Sequence, residues 1–331
     1  MCIAGDCGIP DNTAVSDGVH LIVPFAACAS EACARALPGL QLPQLRRLLG
    51  RLGAPGVDRG TVDDLSMPHE RAFARACGLP VADGLLPLAA LQLRHDGRLV
   101  ADEPWAWITP SHWRVARDHI VMAHPQELQL DGDDSRALLA LMAPYFAEDG
   151  IHLEYQAPLR WLARGELFRA LPTASLDRVV GRTVDGWMAG GDAGRPLRRL
   201  QQEMQMLLYT VPLNDERQRA GLLPVNSFWV SGNGALPADA PPPSPAGAQV
   251  AQQLRDAALA DDGAAWAAAW QQLDAREGPR LQAALDQGHS VRLTLCGQAN
   301  SRSWASPGAS VWRRLGSLLS PPSIAGMLGG L

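Results

Sequence analysis

His20-Leu21-Ile22-Val23-Pro24-Phe25-Ala26-Ala27 is a short apolar run with β-branched residues at its centre and a proline to stop it. Such a run reads as a buried strand of a parallel sheet. Downstream, Leu42, Leu45, Leu48, Leu49 and Leu52 share one helical face, with Arg46, Arg47 and Arg51 opposite. Ser66 is placed to cap a helix that has Pro68 in its first turn and is stopped by Gly78-Leu79-Pro80. Strand, helix, helix is the opening of an α/β domain.

From Trp105 to Met122 the pattern becomes extended, with two strands expected around Thr109-Pro110-Ser111. Asp133 or Asp134 then caps an amphipathic helix ending near Gly150, and strands follow at 151–155 and 158–162. This is an α+β unit set inside the chain near 100–165. Ser175 is expected to cap a helix carrying Leu176, Val179, Val180, Val184 and Trp187. Pro196 begins a second helix, Asn214 caps a third, and 225–230 reads as a strand. The organisation that emerges has a loose tail at 1–18, a main α/β domain at 19–235 and a Pro-rich linker at 236–247. After it, 248–331 is an Ala-rich helical segment (250–259, 264–273, 279–287) with a strand at 291–296 returning to the main sheet and a short Leu-rich helix at the end.

Composition narrows the function. The 331 residues are 47% hydrophobic and carry a net charge of −5, which disfavours binding to nucleic acid. No apolar run is long enough to span a bilayer, and the amino terminus has no signal-peptide pattern, so no membrane partner is expected and the cytoplasm is the expected compartment. The six cysteines lack C-x-x-C spacing and read as reduced thiols. All 29 basic residues are arginine, so no lysine exists to form a Schiff base.

Three groups of residues can carry chemistry. His112, Asp118, His119 and His124 have the side chains of a divalent-metal site, manganese or zinc, although neighbours on a strand point to opposite faces. Arg178 and Arg182, four apart on the expected helix, suit a grip on phosphate or carboxylate; Arg199 and Glu203 continue that surface. Asn226 and Ser227 begin a strand that runs into Gly232-Asn233-Gly234, which lacks the third glycine of a dinucleotide fingerprint.

Several stretches resemble a proteobacterial family of RpfE-type regulatory proteins, often labelled cofactor-independent phosphoglycerate mutase. They are 20–26, Pro68-His69-Glu70-Arg71-Ala72, Pro158-Leu159-Arg160-Trp161, 172–182, 198–201, 203–209, Asn214-Asp215 and 225–229. The resemblance implies an alkaline-phosphatase-like mixed sheet flanked by helices, with two metals and a Ser or Thr nucleophile. Yet Pro24-Phe25-Ala26-Ala27 stands where that superfamily carries its first metal-binding carboxylate, and Val211 stands where members of the family carry histidine. The expectation is therefore a regulatory or ligand-binding protein that has lost its metal centre and needs no cofactor. It is expected to bind a small anionic metabolite through Arg160, Arg178, Arg182, Arg199, Glu203, Asn226 and Ser227. A metal-dependent phosphoglycerate mutase or phosphatase, or a protein-interaction module with an unknown partner, is the alternative.

Overall fold

The run at 20–27 does supply a central strand. In the computed structural model, which describes residues 18–28, 30–98, 100, 102–238, 240, 248–307 and 324–331, β1 (Gly18–Val23) has parallel neighbours on both sides. The expected tail at 1–17, most of the linker and the Leu-rich stretch at 308–323 lie outside the described residues.

In chain order the first elements are α1 (Glu31–Ala36), α2 (Pro43–Leu49), β2 (Gly56–Asp58), α3 (Pro68–Ala76) and α4 (Leu88–His95). Next come β3 (Pro104–Ser111), β4 (Trp113–Val115), β5 (Ile120–Met122), α5 (Gly132–Glu148), β6 (His152–Ala157) and β7 (Arg160–Arg164). They are followed by α6 (Leu176–Val179), α7 (Arg195–Tyr209), α8 (Pro212–Arg219) and β8 (Ser227–Ala235). The chain closes with β9 (Gln249–Val250), α9 (Arg255–Leu259), α10 (Gly263–Asp286), β10 (Ser290–Cys296), β11 (Ser301–Ala305) and α11 (Ile324–Leu328).

Two sheets result. The first is mixed, in the order β2-β11-β10-β1-β9, with β10, β1 and β9 parallel and β11 antiparallel to its neighbours. Leu21, Val23, Leu293 and Leu295 leave one face of it to pack with Leu45, Leu48, Trp266, Trp270 and Leu273 from α2 and α10. Asp274 fixes that packing, accepting from the backbone N–H groups of Leu45 (2.6 Å) and Gln44 (3.1 Å) at the start of α2. The second sheet is antiparallel, β6-β7-β3-β8, with α5 and α7 on one face around Trp161, Phe146 and Phe228 and with α4 on the other. The architecture is α/β, with open sheets flanked by helices.

Several local expectations change. The helix at 175 lasts one turn, because Val179, Val180, Thr183 and Val184 are β-branched and Gly181 sits at φ 73°. Residues 180–183 instead bridge to β5. Ser66 is not the α3 cap; its hydroxyl accepts from Gly84 N at 2.8 Å. Asn214 lies inside α8 and fastens it to Leu208 O and to Val225. The segments at 264–273 and 279–287 form one helix, since the buried stripe Trp266, Trp270, Leu273, Leu281 and Ala284 runs on across Pro279. The strand at 225–230 belongs to the second sheet, paired with β3. Cys28 and Cys33, expected as thiols, form a disulfide, because the turn leaving β1 and the start of α1 bring their Cα atoms to 6.0 Å. Among the described residues no helix is long and apolar enough to cross a membrane.

Candidate functional site

Parallel strands β1 and β10 end side by side at Val23 and Leu295, and the chain leaves them through Pro24-Phe25 and Gly297-Gln298. Open α/β sheets bind ligands beyond such carboxyl ends. Here the first turn of α3 and residues 173–182, arriving from the second sheet, meet over that edge.

Arg71 of α3 is buried and saturated: it donates to Asp58 (3.0 Å), Asp64 (3.2 Å), Ser66 O (3.0 Å) and Ala299 O (2.8 Å). Arg178 is buried completely and differs in its partners. Its guanidinium donates to Gln298 O at 2.8 Å, Ser66 O at 3.3 Å and Thr61 O at 3.5 Å, while its Nε has no hydrogen-bond partner and no carboxylate pairs with it among the described residues. Burial, then the charges of Arg71 and Arg182, push its pKa below the usual arginine value. Arg182 is exposed and donates to the Gln298 side chain at 3.4 Å. A row of three guanidinium groups thus begins in solvent and ends in the interior.

Behind the row lies a second buried set. Glu70, near the start of α3, accepts from Ser175 Oγ (2.7 Å) and from Met67 N (2.9 Å), yet burial drives its pKa up to about 7. Asp177 pairs with Arg255, whose Nε donates at 2.8 Å, and lies 3.6 Å from His69 Nε2. Burial pushes His69 down to about 4 against the opposing pull of Asp177, leaving a neutral imidazole. These groups tie the two sheets together.

The seven ligand-binding candidates do not share a set of partners. Arg178 and Arg182 meet at Gln298. Arg160 is exposed on β7, bonded to Gln92 at 3.2 Å and lying over the Trp107 ring. Arg199 and Glu203 pair with each other at 3.8 Å on α7, where Arg199 also binds Asp149. The polar side of α7 is its solvent side, so it converges on nothing. Asn226 links the entry of β8 to β4, accepting from Trp113 N at 2.7 Å and donating to Trp113 O at 2.9 Å. Ser227 is buried, and its hydroxyl has no hydrogen-bond partner among the described residues.

The four metal candidates are likewise apart. His112 bonds to Pro224 O (2.8 Å), His119 to its neighbour Asp118 (2.7 Å), and His124 accepts from Gln126 N (3.3 Å). Among the described residues no group of three or more His, Cys, Asp or Glu side chains can hold a metal ion. At the end of β1 the buried Phe25 offers only its carbonyl, which accepts from Trp266. Among the described residues these side chains do not assemble a two-metal centre. Arg71 lies in the legible stretch Pro68-His69-Glu70-Arg71, but Arg255 and Gln298 carry no local signal, because their partners Asp177 and Arg178 lie far away in sequence.

No family model matches the chain, and no curated protein matches it. Among solved structures it is similar to the cofactor-independent phosphoglycerate mutase from Thermoplasma acidophilum, at 11% identity and a TM-score of 0.37, over 95% of this chain and 99% of that one. It is also similar to the PH0037 protein from Pyrococcus horikoshii, at 12% identity and a TM-score of 0.49, over 89% and 88%. Both scores fall below 0.5. Neither likeness carries an argument about the site.

Proposed function

We propose that this chain is a regulatory, ligand-binding protein of the RpfE-type kind on an alkaline-phosphatase-like scaffold, taking a small phosphorylated or carboxylated metabolite at Arg178 and Arg182. One observation supports this above the others: Arg178 is fully buried with an unpartnered Nε and without a carboxylate partner among the described residues. Among the described residues Glu70 and Asp64 oppose its charge only from beyond ion-pair distance, and an anion entering past Arg182 would add the direct partner. In this reading the protein works in the cytoplasm without a nucleic-acid or membrane partner and without a cofactor. A manganese- or zinc-dependent mutase or phosphatase would need ligands that His112, Asp118, His119 and His124 do not assemble.

Thermal melts with phosphoglycerate and with citrate test the proposal. A true ligand at 100-fold over its Kd raises stability by about 2.7 kcal/mol. Arg182→Ala abolishes the shift, whereas Arg160→Ala and Arg199→Ala leave it intact. Absence of any anion-dependent shift, or a shift indifferent to Arg182→Ala, overturns the reading.

A further inference from the structure

The first sheet has two unlike faces. One is apolar and covered by α2 and α10. Alternation along the strands places His20 and Ile22 of β1, Arg292, Thr294 and Cys296 of β10, and Ser301 and Ser303 of β11 on the other. Only Ile22 and Cys296 of these join an apolar cluster with Ala72 of α3. Parallel strands are normally covered on both faces by apolar packing, and this face has polar side chains instead. Beside α3 it borders a cavity of about 800 Å³ lined by His20, Asp58, Arg75, Arg292, Thr294 and Ser303. That volume lies in the range of small-molecule sites.

The lining is organised. His20 Nε2 lies 2.8 Å from Thr294 Oγ1, which lies 2.9 Å from Ser303 Oγ, a continuous chain across three strands. Thr294 is 2% exposed, so this chain is not simply a solvated surface. At one end stands Arg292, exposed and without a carboxylate partner among the described residues. At the other, Asp58 is shared by Arg71 and Arg75. Asp58 faces Ser301, which faces Cys296, four residues along β10 from Arg292. At about 3.3 Å per residue the two ends are roughly 13 Å apart, the span of a phosphorylated sugar with room for water.

We propose that this cavity is a second binding site, for a small hydroxylated anion of sugar-phosphate size. Arg292 takes the phosphate, and the His20–Thr294–Ser303 chain takes the hydroxyl groups. The charge excess sets the sign of the ligand, since Arg75 is already matched by Asp58 and Arg292 has no carboxylate partner among the described residues. The site is independent of the Arg178–Arg182 row, which lies beyond the carboxyl ends of the same strands.

Glucose 6-phosphate, with inorganic phosphate and glucose as controls, tests the proposal by NMR of the His20 imidazole, assigned with His20→Gln. In the free protein, burial and then the charge of Arg292 hold the His20 pKa down at about 4. Saturating glucose 6-phosphate moves the His20 resonances and raises that pKa, because the bound anion offsets Arg292. Arg292→Ala, a change at an exposed residue, weakens binding at least tenfold; Ser303→Ala weakens it severalfold, and Arg182→Ala leaves it unchanged. No response of His20 at millimolar probe, or binding unaffected by Arg292→Ala, overturns the site. Equal affinity for inorganic phosphate overturns the hydroxyl half of it. Loss through Arg182→Ala alone would assign the binding to the other row.

Discussion

In the mixed sheet β1 lies beside β10, so Gly18 is paired with Ser290, whereas in the antiparallel sheet β6 turns directly into β7 and the whole sheet lies between residues 104 and 235. One half is closed by the two ends of the chain and the other by its continuous middle. Closing a longer loop adds little entropy cost, so the difference bears on how the halves form more than on how stable they are. What unites them is the buried polar set, Ser175 on Glu70 and Asp177 on Arg255, which crosses from one sheet to the other.

The largest test of this comparison is a matched pair of core truncations. Trp266 and Trp161 are each at most 1% exposed, and each indole donates one hydrogen bond, to Phe25 O at 2.9 Å and to Ser135 Oγ at 2.9 Å. Trp266→Ala and Trp161→Ala are each expected to cost roughly 3–5 kcal/mol. Calorimetry should show a single transition lowered by either change; two transitions, only one of which moves, would show that the halves are not coupled.

Asp177→Asn attacks the coupling itself. It leaves Arg255 partly buried with only the exposed Asp256 (3.2 Å) as a carboxylate partner, at a cost of about 1–3 kcal/mol. Hydrogen exchange should then rise first at residues 173–183. If protection falls uniformly over both sheets, Asp177 is an ordinary stabilising residue and not the tie between them.

The smallest effect is in pH. Glu70 is raised from 4.5 to about 7, so between those values the native state keeps a proton that the unfolded chain has lost, and this contribution to stability disappears as pH rises. His20 and His69 are lowered from 6.5 to about 4, so the native state lacks two protons that the unfolded chain binds, and this contribution grows with pH. Near pH 5 the two histidines outweigh Glu70, and stability climbs by about 1 kcal/mol per unit, helped by the lowered pKa values of His112 and His124. Towards pH 7 the opposing contributions cancel and the curve levels off. Urea midpoints should therefore rise from pH 4.5 and flatten near pH 7, and Glu70→Gln should steepen the rise between pH 5 and 7. An unchanged slope in Glu70→Gln would place the titrating group elsewhere.

The strands and long helices were legible because their signals are local. The apolar run at 20–27, the strand at 291–296 and the helix beginning at Pro196 each belong to one segment, and each forms, the first as a strand ending at Val23. The one-turn α6 has a local signal too, since four β-branched residues and a glycine follow Arg178, although the Ser175 cap points to a longer helix. A longer helix would place Arg178 and Arg182 on one face, where the structure instead sets them at Gln298 by a turn.

By itself, then, the sequence determined the α/β class, the central strand, the amphipathic helices and the arginine-only basic complement, because periodicity, capping and composition act within a few residues of one another. Only the tertiary structure decided that 225–230 joins the second sheet, that Cys28 meets Cys33, and that Arg199 faces solvent while Arg178 is buried without a paired carboxylate among the described residues. A charge's partner is set by distance in space. Gln298 lies 120 residues from Arg178, and Arg255 lies 78 from Asp177, so no window along the chain could pair them.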